Sequence, residues 1–168
     1  MNTSKSNNLT NNDILRRLRY TFELSDDQMI KVFALADKEV TRAEISEWLK
    51  KDDAPDYKPI YDIDLAIFLT GFINLKRGKK EGEQPKPEKK LNNNIIFRKL
   101  KIALAFKDDD IIEVLQLVDF KIGKTELSAF FRNPTQNQYR PCKDQILRNF
   151  IHGIQVKFRN DASEDLNE

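Results

Sequence analysis

Apolar side chains recur along this chain at helical spacing, interrupted by polar clusters of the kind that start helices. Ile14, Leu15, Leu18 and Phe22 fall at i, i+1, i+4 and i+8, a single stripe of the 3.6-residue period. Asn12 or Asp13 offers an oxygen to the free amides of that first turn. Ser25-Asp26-Asp27-Gln28 then reads as a capping box, and its acids favour the positive end of the helix that carries Met29, Ile30, Phe33 and Leu35. Thr41 and Glu44 repeat the box before Ile45, Trp48 and Leu49, which predicts a short third helix. Pro55 and Pro59 mark a loop, and Leu65, Phe68, Leu69, Phe72 and Ile73 make a longer stripe that should stop at Gly78.

The whole pattern then returns. Residues 12–50 lie over residues 94–132 at a shift of 82 without a gap, and the register holds as far as Arg77 over Arg159. Identical pairs include Arg16 with Arg98, Asp26 with Asp108, Asp37 with Asp119, Glu44 with Glu126, Tyr57 with Tyr139, Pro59 with Pro141, Phe68 with Phe150 and Gly71 with Gly153. Elsewhere the face survives with other residues: Ile96 and Leu100, then Ile112, Leu115 and Leu117, then Leu127, Phe130 and Phe131, then Leu147, Phe150, Ile151 and Ile154. A period of that length exceeds the solenoid classes and indicates tandem duplication of one module.

The expected architecture is therefore all-α: two similar four-helix modules, over residues 11–77 and 93–159, related by a pseudo-twofold or a simple rotation. Residues 78–92, with two prolines, two glycines and many charges, read as a polar linker. Residues 1–10 and 160–168 are polar and read as disordered ends. A module of this size buries only about 60% of its unfolded surface, so the copies should pack together. Phe97, Phe131 and Phe158 are candidates for that contact, since Leu15, Leu49 and Lys76 stand at the matching positions.

The segments LRYTFELSDDQMIKVFALAD and LKIALAFKDDDIIEVLQLVD, with TRAEISEWLKK and GKTELSAFFRNP, resemble the YehS-like family of bacterial proteins, in which this module occurs twice. The likeness covers residues 11–159. It implies a small helical cytoplasmic protein and supplies no activity, substrate or catalytic residue. Between the copies the turn before the third helix differs: Lys38, Glu39 and Thr41 stand where the second copy has Phe120, Lys121 and Gly123.

Composition narrows the chemistry. Of 168 residues 39% are hydrophobic and 33% charged, enough for a core beneath a densely charged surface. No apolar run is long enough to span a bilayer and the first residues lack the apolar centre of a signal peptide, so a cytoplasmic protein without membrane contact is expected. One cysteine, Cys142, and one histidine, His152, exclude an internal disulfide and a structural zinc cluster. They also leave nucleophilic catalysis without a constellation, and the expectation is a non-enzyme that needs no cofactor. The acids Asp26-Asp27 and Asp108-Asp109-Asp110 could ligate magnesium, but helix-start chemistry accounts for them better.

Charge separates the two copies. Residues 11–77 hold 11 basic against 13 acidic residues, net −2, and residues 93–159 hold 12 against 7, net +5. Arg98, Lys99, Lys101, Lys124, Arg132 and Arg140 are the candidate contacts for a partner, with Lys143 and Arg148 beside them. The leading expectation is a protein-interaction or adaptor module whose partner is another protein. The alternative is nucleic-acid binding through the helix-turn-helix-like corner between the second and third helices of the basic copy, where Lys124 opens the reading helix and Glu126 opposes phosphates.

Overall fold

The computed structural model describes residues 8–159. It contains α1 (Asn11–Thr21), α2 (Asp26–Leu35), α3 (Arg42–Leu49), α4 (Asp62–Arg77), α5 (Asn93–Leu104), α6 (Asp108–Gln116), α7 (Lys124–Ala129) and α8 (Asp144–Arg159). Every helix of the first copy reappears 82 residues on, and no strand occurs among the described residues. The protein is all-α, built from two similar four-helix modules.

Local chemistry sets the helix ends. Ser25 and Thr41 accept from Gln28 and Glu44 amides while the Gln28 and Glu44 side chains bond back, closing two capping boxes. The first helix departs from the sequence reading. Thr10, not Asn12 or Asp13, is its N-cap, and Asp13 completes the box. Asn12 is released to point inward because the helix starts two residues earlier than a cap at Asn12 would set. Both α1 and α5 are followed by a left-handed residue without glycine, Glu23 at φ 52° and Ala105 at φ 56°, and Asp37 and Asp119 repeat this after α2 and α6.

Within each copy α2 packs on α4, and α6 on α8. The crossing is close because Gly71 and Gly153 lie against backbone. A Cβ on Gly71 would stand 1.9 Å from the Val32 carbonyl oxygen, and one on Gly153 2.5 Å from that of Val114. Between copies, α4 packs along α5 and α1 along α8. Exchanging the copies turns the first pairing into the second, as a pseudo-twofold requires and a simple head-to-tail repeat does not.

Hydrogen bonds at the seam obey the same symmetry. Asp62 at the start of α4 accepts from the Asn11 side chain at 2.7 Å and from the Leu91 amide at 2.8 Å. Asp144 at the start of α8 accepts from Asn93 at 2.7 Å and from the Leu9 amide at 3.2 Å. Each residue that leads into a copy's first helix is thus tied to the opposite copy's last helix. One contiguous core results, running from Ile14 and Phe33 to Phe150 and Ile154. Phe158 meets Phe22 across the seam with ring centroids 5.2 Å apart and the rings tilted, while the ring partners of Phe97 and Phe131 lie in their own copy.

Residues 1–7 and 160–168, on which the expectation of disordered ends falls, lie outside the described residues. Leu9 and Thr10 depart from that expectation, since Leu9 packs against the core and Thr10 caps α1. The intervening segment is likewise held at its second half: Leu91 packs against the core and Glu88 pairs with Lys99 at 3.1 Å.

Candidate functional site

The basic copy carries a groove of about 520 Å³ between α7, the loop that follows it and the start of α8. That loop is anchored from below. Asn94, 4% exposed, donates to the carbonyls of Phe130 at 3.0 Å and Arg140 at 2.8 Å, and accepts from the Cys142 amide at 2.9 Å. The Arg140 amide also donates to Ala129 at 3.1 Å. With its backbone held from within, the loop turns Arg132, Arg140 and Lys143 outward as a cationic rim. Ala129, Phe130, Pro141 and Ile146 supply the apolar floor, and Glu126 is the one acid in the lining.

The first copy shows what this groove has lost. Where the second has Ala129, Gln138 and Ile146, the first has Glu47, Asp56 and Asp64. Asp56 pairs with Lys50 at 3.0 Å and Asp64 with Lys38 at 3.4 Å. The hydrogen bond from Lys50 holds the Asp56 carboxyl below its ordinary value. At the Phe130 position stands the larger Trp48, packed on Phe33 at 5.5 Å. Three carboxylates are therefore absent at the matching places of the second copy, and one of them, Asp56, balances Lys50, the counterpart of Arg132.

The candidate contacts read from the sequence do not form one patch. Arg132 and Arg140 meet in the groove. Arg98 and Lys101 line a second, more open cleft, together with Arg77 from the end of α4. Lys101 pairs with Asp108 at 3.2 Å and covers the Phe131 ring at 4.3 Å. Lys124 is exposed but paired with Asp109 at 3.1 Å. Lys99 is not a surface contact at all: it is largely buried at the seam, bonded to Thr70 at 3.1 Å and paired with Glu88. Nothing in a single stripe of sequence separates a seam lysine from a surface one. Arg77, Ala129 and Ile146 were not singled out by charge; subtracting one copy from the other, position by position, is the signal that finds Ala129 and Ile146, where the first copy has Glu47 and Asp64.

Neither Cys142 nor His152 lines the groove or the cleft. Cys142 is buried, and burial pushes its thiol up to about 12, so it stays protonated. His152 is half-buried on α8. Among the described residues no group of three or more His, Cys, Asp or Glu side chains could hold a metal ion, and no helix is long and apolar enough to cross a membrane.

Comparison with known proteins agrees with the internal symmetry. The family model described as "Protein of unknown function (DUF1456)" matches twice, over residues 11–78 and 93–160. The "Uncharacterized protein YehS" of Escherichia coli (strain K12) is 37% identical over 150 residues, covering 89% of this chain and 96% of that protein. No solved structure matches the chain.

Proposed function

The chain belongs to the DUF1456 family, a premise that supplies the two-copy helical architecture and no activity, and from its surface we propose a non-catalytic, cytosolic protein-interaction module. The site is the groove between α7 and α8. The observation that carries this reading is the paired difference between copies: an apolar floor and an unbalanced cationic rim in the second, where the first has Glu47, Asp56, Asp64 and Trp48. Such a surface suits a partner segment that brings aliphatic side chains to the floor and carboxylates to the rim.

The helix-turn-helix route to nucleic acid is less well supported. α7 has six residues, about 9 Å of helix, and its leading cation is already paired with Asp109. In the first copy Arg42 is held likewise by Asp26 and Asp27. The test uses the full chain as bait in a bacterial lysate, wild type beside Arg132→Glu/Arg140→Glu. Proteins retained by the wild type should be lost by the variant. An unchanged set, or none, would refute the groove as an interaction site.

A further inference from the structure

We infer that the cleft formed jointly by the two copies, with Arg77 from α4 and Arg98 and Lys101 from α5, is a docking site for an acidic peptide segment of a partner protein. The inference rests on the interaction-module reading but concerns a different surface. The cleft is open, about 510 Å³, and its floor is Ile102, Ala105, Phe106 and Phe131.

The pseudo-twofold supplies the ligand chemistry. Under the shift of 82, Arg77 corresponds to Arg159, Arg98 to Arg16, Ala105 to Glu23 and Ile95 to Asp13. At the counterpart site Arg159 donates to the Tyr20 carbonyl at 3.0 Å, lies 4.0 Å over its ring and pairs with Glu23 at 3.8 Å. Arg16 is paired with Asp13 and donates to the Lys50 carbonyl at 2.9 Å. The chain thus pairs both of these arginines with its own carboxylates. On the other side of the pseudo-twofold both carboxylates are replaced, by Ala105 in the cleft and by Ile95 three residues before Arg98, and among the described residues Arg77 and Arg98 have no acidic partner.

Two features favour a peptide over a nucleic acid. Single-stranded nucleic acid needs open aromatic faces for its bases. Here Lys101 covers Phe131, and Phe106 is engaged by Phe150 at 6.2 Å and Phe158 at 6.4 Å. The remaining aliphatic floor suits leucine-like side chains between carboxylates, which a phosphate backbone does not provide.

The symmetry also defines the variant. Ala105→Glu with Ile95→Asp installs the counterpart's own carboxylates. Both should fold: Glu23 already occupies the left-handed position matching Ala105, and an acid at position 95 completes a capping box with Asn92. The probe is a random dodecamer peptide library displayed on phage, panned against the full chain. Selected peptides should carry at least two acidic residues around an aliphatic one. Synthetic copies should bind Ala105→Glu/Ile95→Asp and Arg77→Glu/Arg98→Glu about tenfold more weakly than wild type, the loss expected for two exposed ion pairs. They should bind Arg132→Glu/Arg140→Glu within about twofold of wild type, which separates this site from the groove.

Selected peptides without acidic enrichment, or equal binding to the Ala105→Glu/Ile95→Asp variant, would overturn the inference while leaving the groove reading intact. A labelled single-stranded DNA that binds wild type but not that variant, with no acidic peptide selected, would overturn it in favour of nucleic acid. Circular dichroism of each variant confirms that a loss is not unfolding.

Discussion

Truncating Asn94 to alanine should cost about 3 kcal/mol of folding stability, and the reason is countable. Its side chain satisfies three backbone groups in one buried place: the carbonyls of Phe130 and Arg140 and the amide of Cys142. A buried backbone group left without a partner costs about 1–3 kcal/mol. Water entering the vacated space recovers part of that. The sum stays well above the ordinary effect of a surface substitution, about 0.5 kcal/mol. Against a typical total of about 5–15 kcal/mol it is a large fraction. For a chain of this length the midpoint of thermal unfolding should fall by roughly 6–12 °C.

Urea unfolding followed by far-UV circular dichroism measures the change directly, with an unaltered slope showing that the unfolded state is unaffected. Asn94→Asp separates hydrogen bonding from mere loss of volume. It keeps the acceptor for Cys142 but sets a carboxylate against two carbonyl oxygens, so at neutral pH it should be worse than alanine and recover in part as the acid protonates. A cost below about 1 kcal/mol for Asn94→Ala, or Asn94→Asp no worse than alanine at neutral pH, would refute the account. Asn12→Ala is the parallel case. Its side chain meets the Trp48 and Lys58 carbonyls, the Ile60 amide and the Tyr57 hydroxyl.

Gly71→Ala should destabilise more than Gly153→Ala in the same assay, because its Cβ meets the Val32 carbonyl at 1.9 Å against 2.5 Å at Val114, and overpacking of this kind costs about 1–3 kcal/mol or more. Cys142 should react with a disulfide reagent at pH 8 only at the rate of opening; fast labelling of the native protein would contradict its burial. Because burial raises that thiol from 9.0 to about 12, its contribution to stability is complete below pH 9 and should be lost as pH rises towards 12, which urea melts across that window would show. Lys124→Ala, which breaks an exposed pair with Asp109, should change stability by less than about 1 kcal/mol and leave peptide binding unaltered. Residues 8–78 alone expose the faces of α1 and α4 that the second copy covers, so they should be unfolded or dimeric by light scattering, not a folded monomer.

Local signals in the sequence were sufficient for the helices. Ser25 with Gln28, Thr41 with Glu44, and the stripes from Leu65 to Phe72 and Leu147 to Ile154 are short-range patterns, and each became the element it suggested. What those patterns could not carry was the purpose of polar residues that act over long separations. Asn12 sits where a cap would sit, yet its partners are Trp48 near the end of α3 and Lys58 and Ile60 in the loop beyond it, which no periodicity brings near it. Lys99 has the look of a surface cation until α4 and the segment through Glu88 close over it. The groove was hidden for the same reason: Ala129, Gln138 and Ile146 are unremarkable singly and meet only when the loop folds back onto α8.

The positions at which the two copies agree explain why they could diverge elsewhere. Leu9 and Leu91, Asn11 and Asn93, Asn12 and Asn94, Asp62 and Asp144, and Gly71 and Gly153 are identical, and every one of them holds the seam, a loop anchor or a close helix crossing. A change at any of these affects the single shared core, because the copies bury their α1, α4, α5 and α8 faces against one another. The charged residues of the groove and cleft, Arg132, Arg140, Lys143, Arg77 and Arg98, are exposed and lie outside that core, so charge there could change at little cost to folding. Where the first copy has Glu23, Glu47, Asp56 and Asp64, the second has Ala105 in the cleft and Ala129, Gln138 and Ile146 in the groove, four carboxylates fewer with the same core. In this way the duplication keeps one shared core while Arg98, Arg132, Arg140 and Lys143 are left without an acidic partner among the described residues.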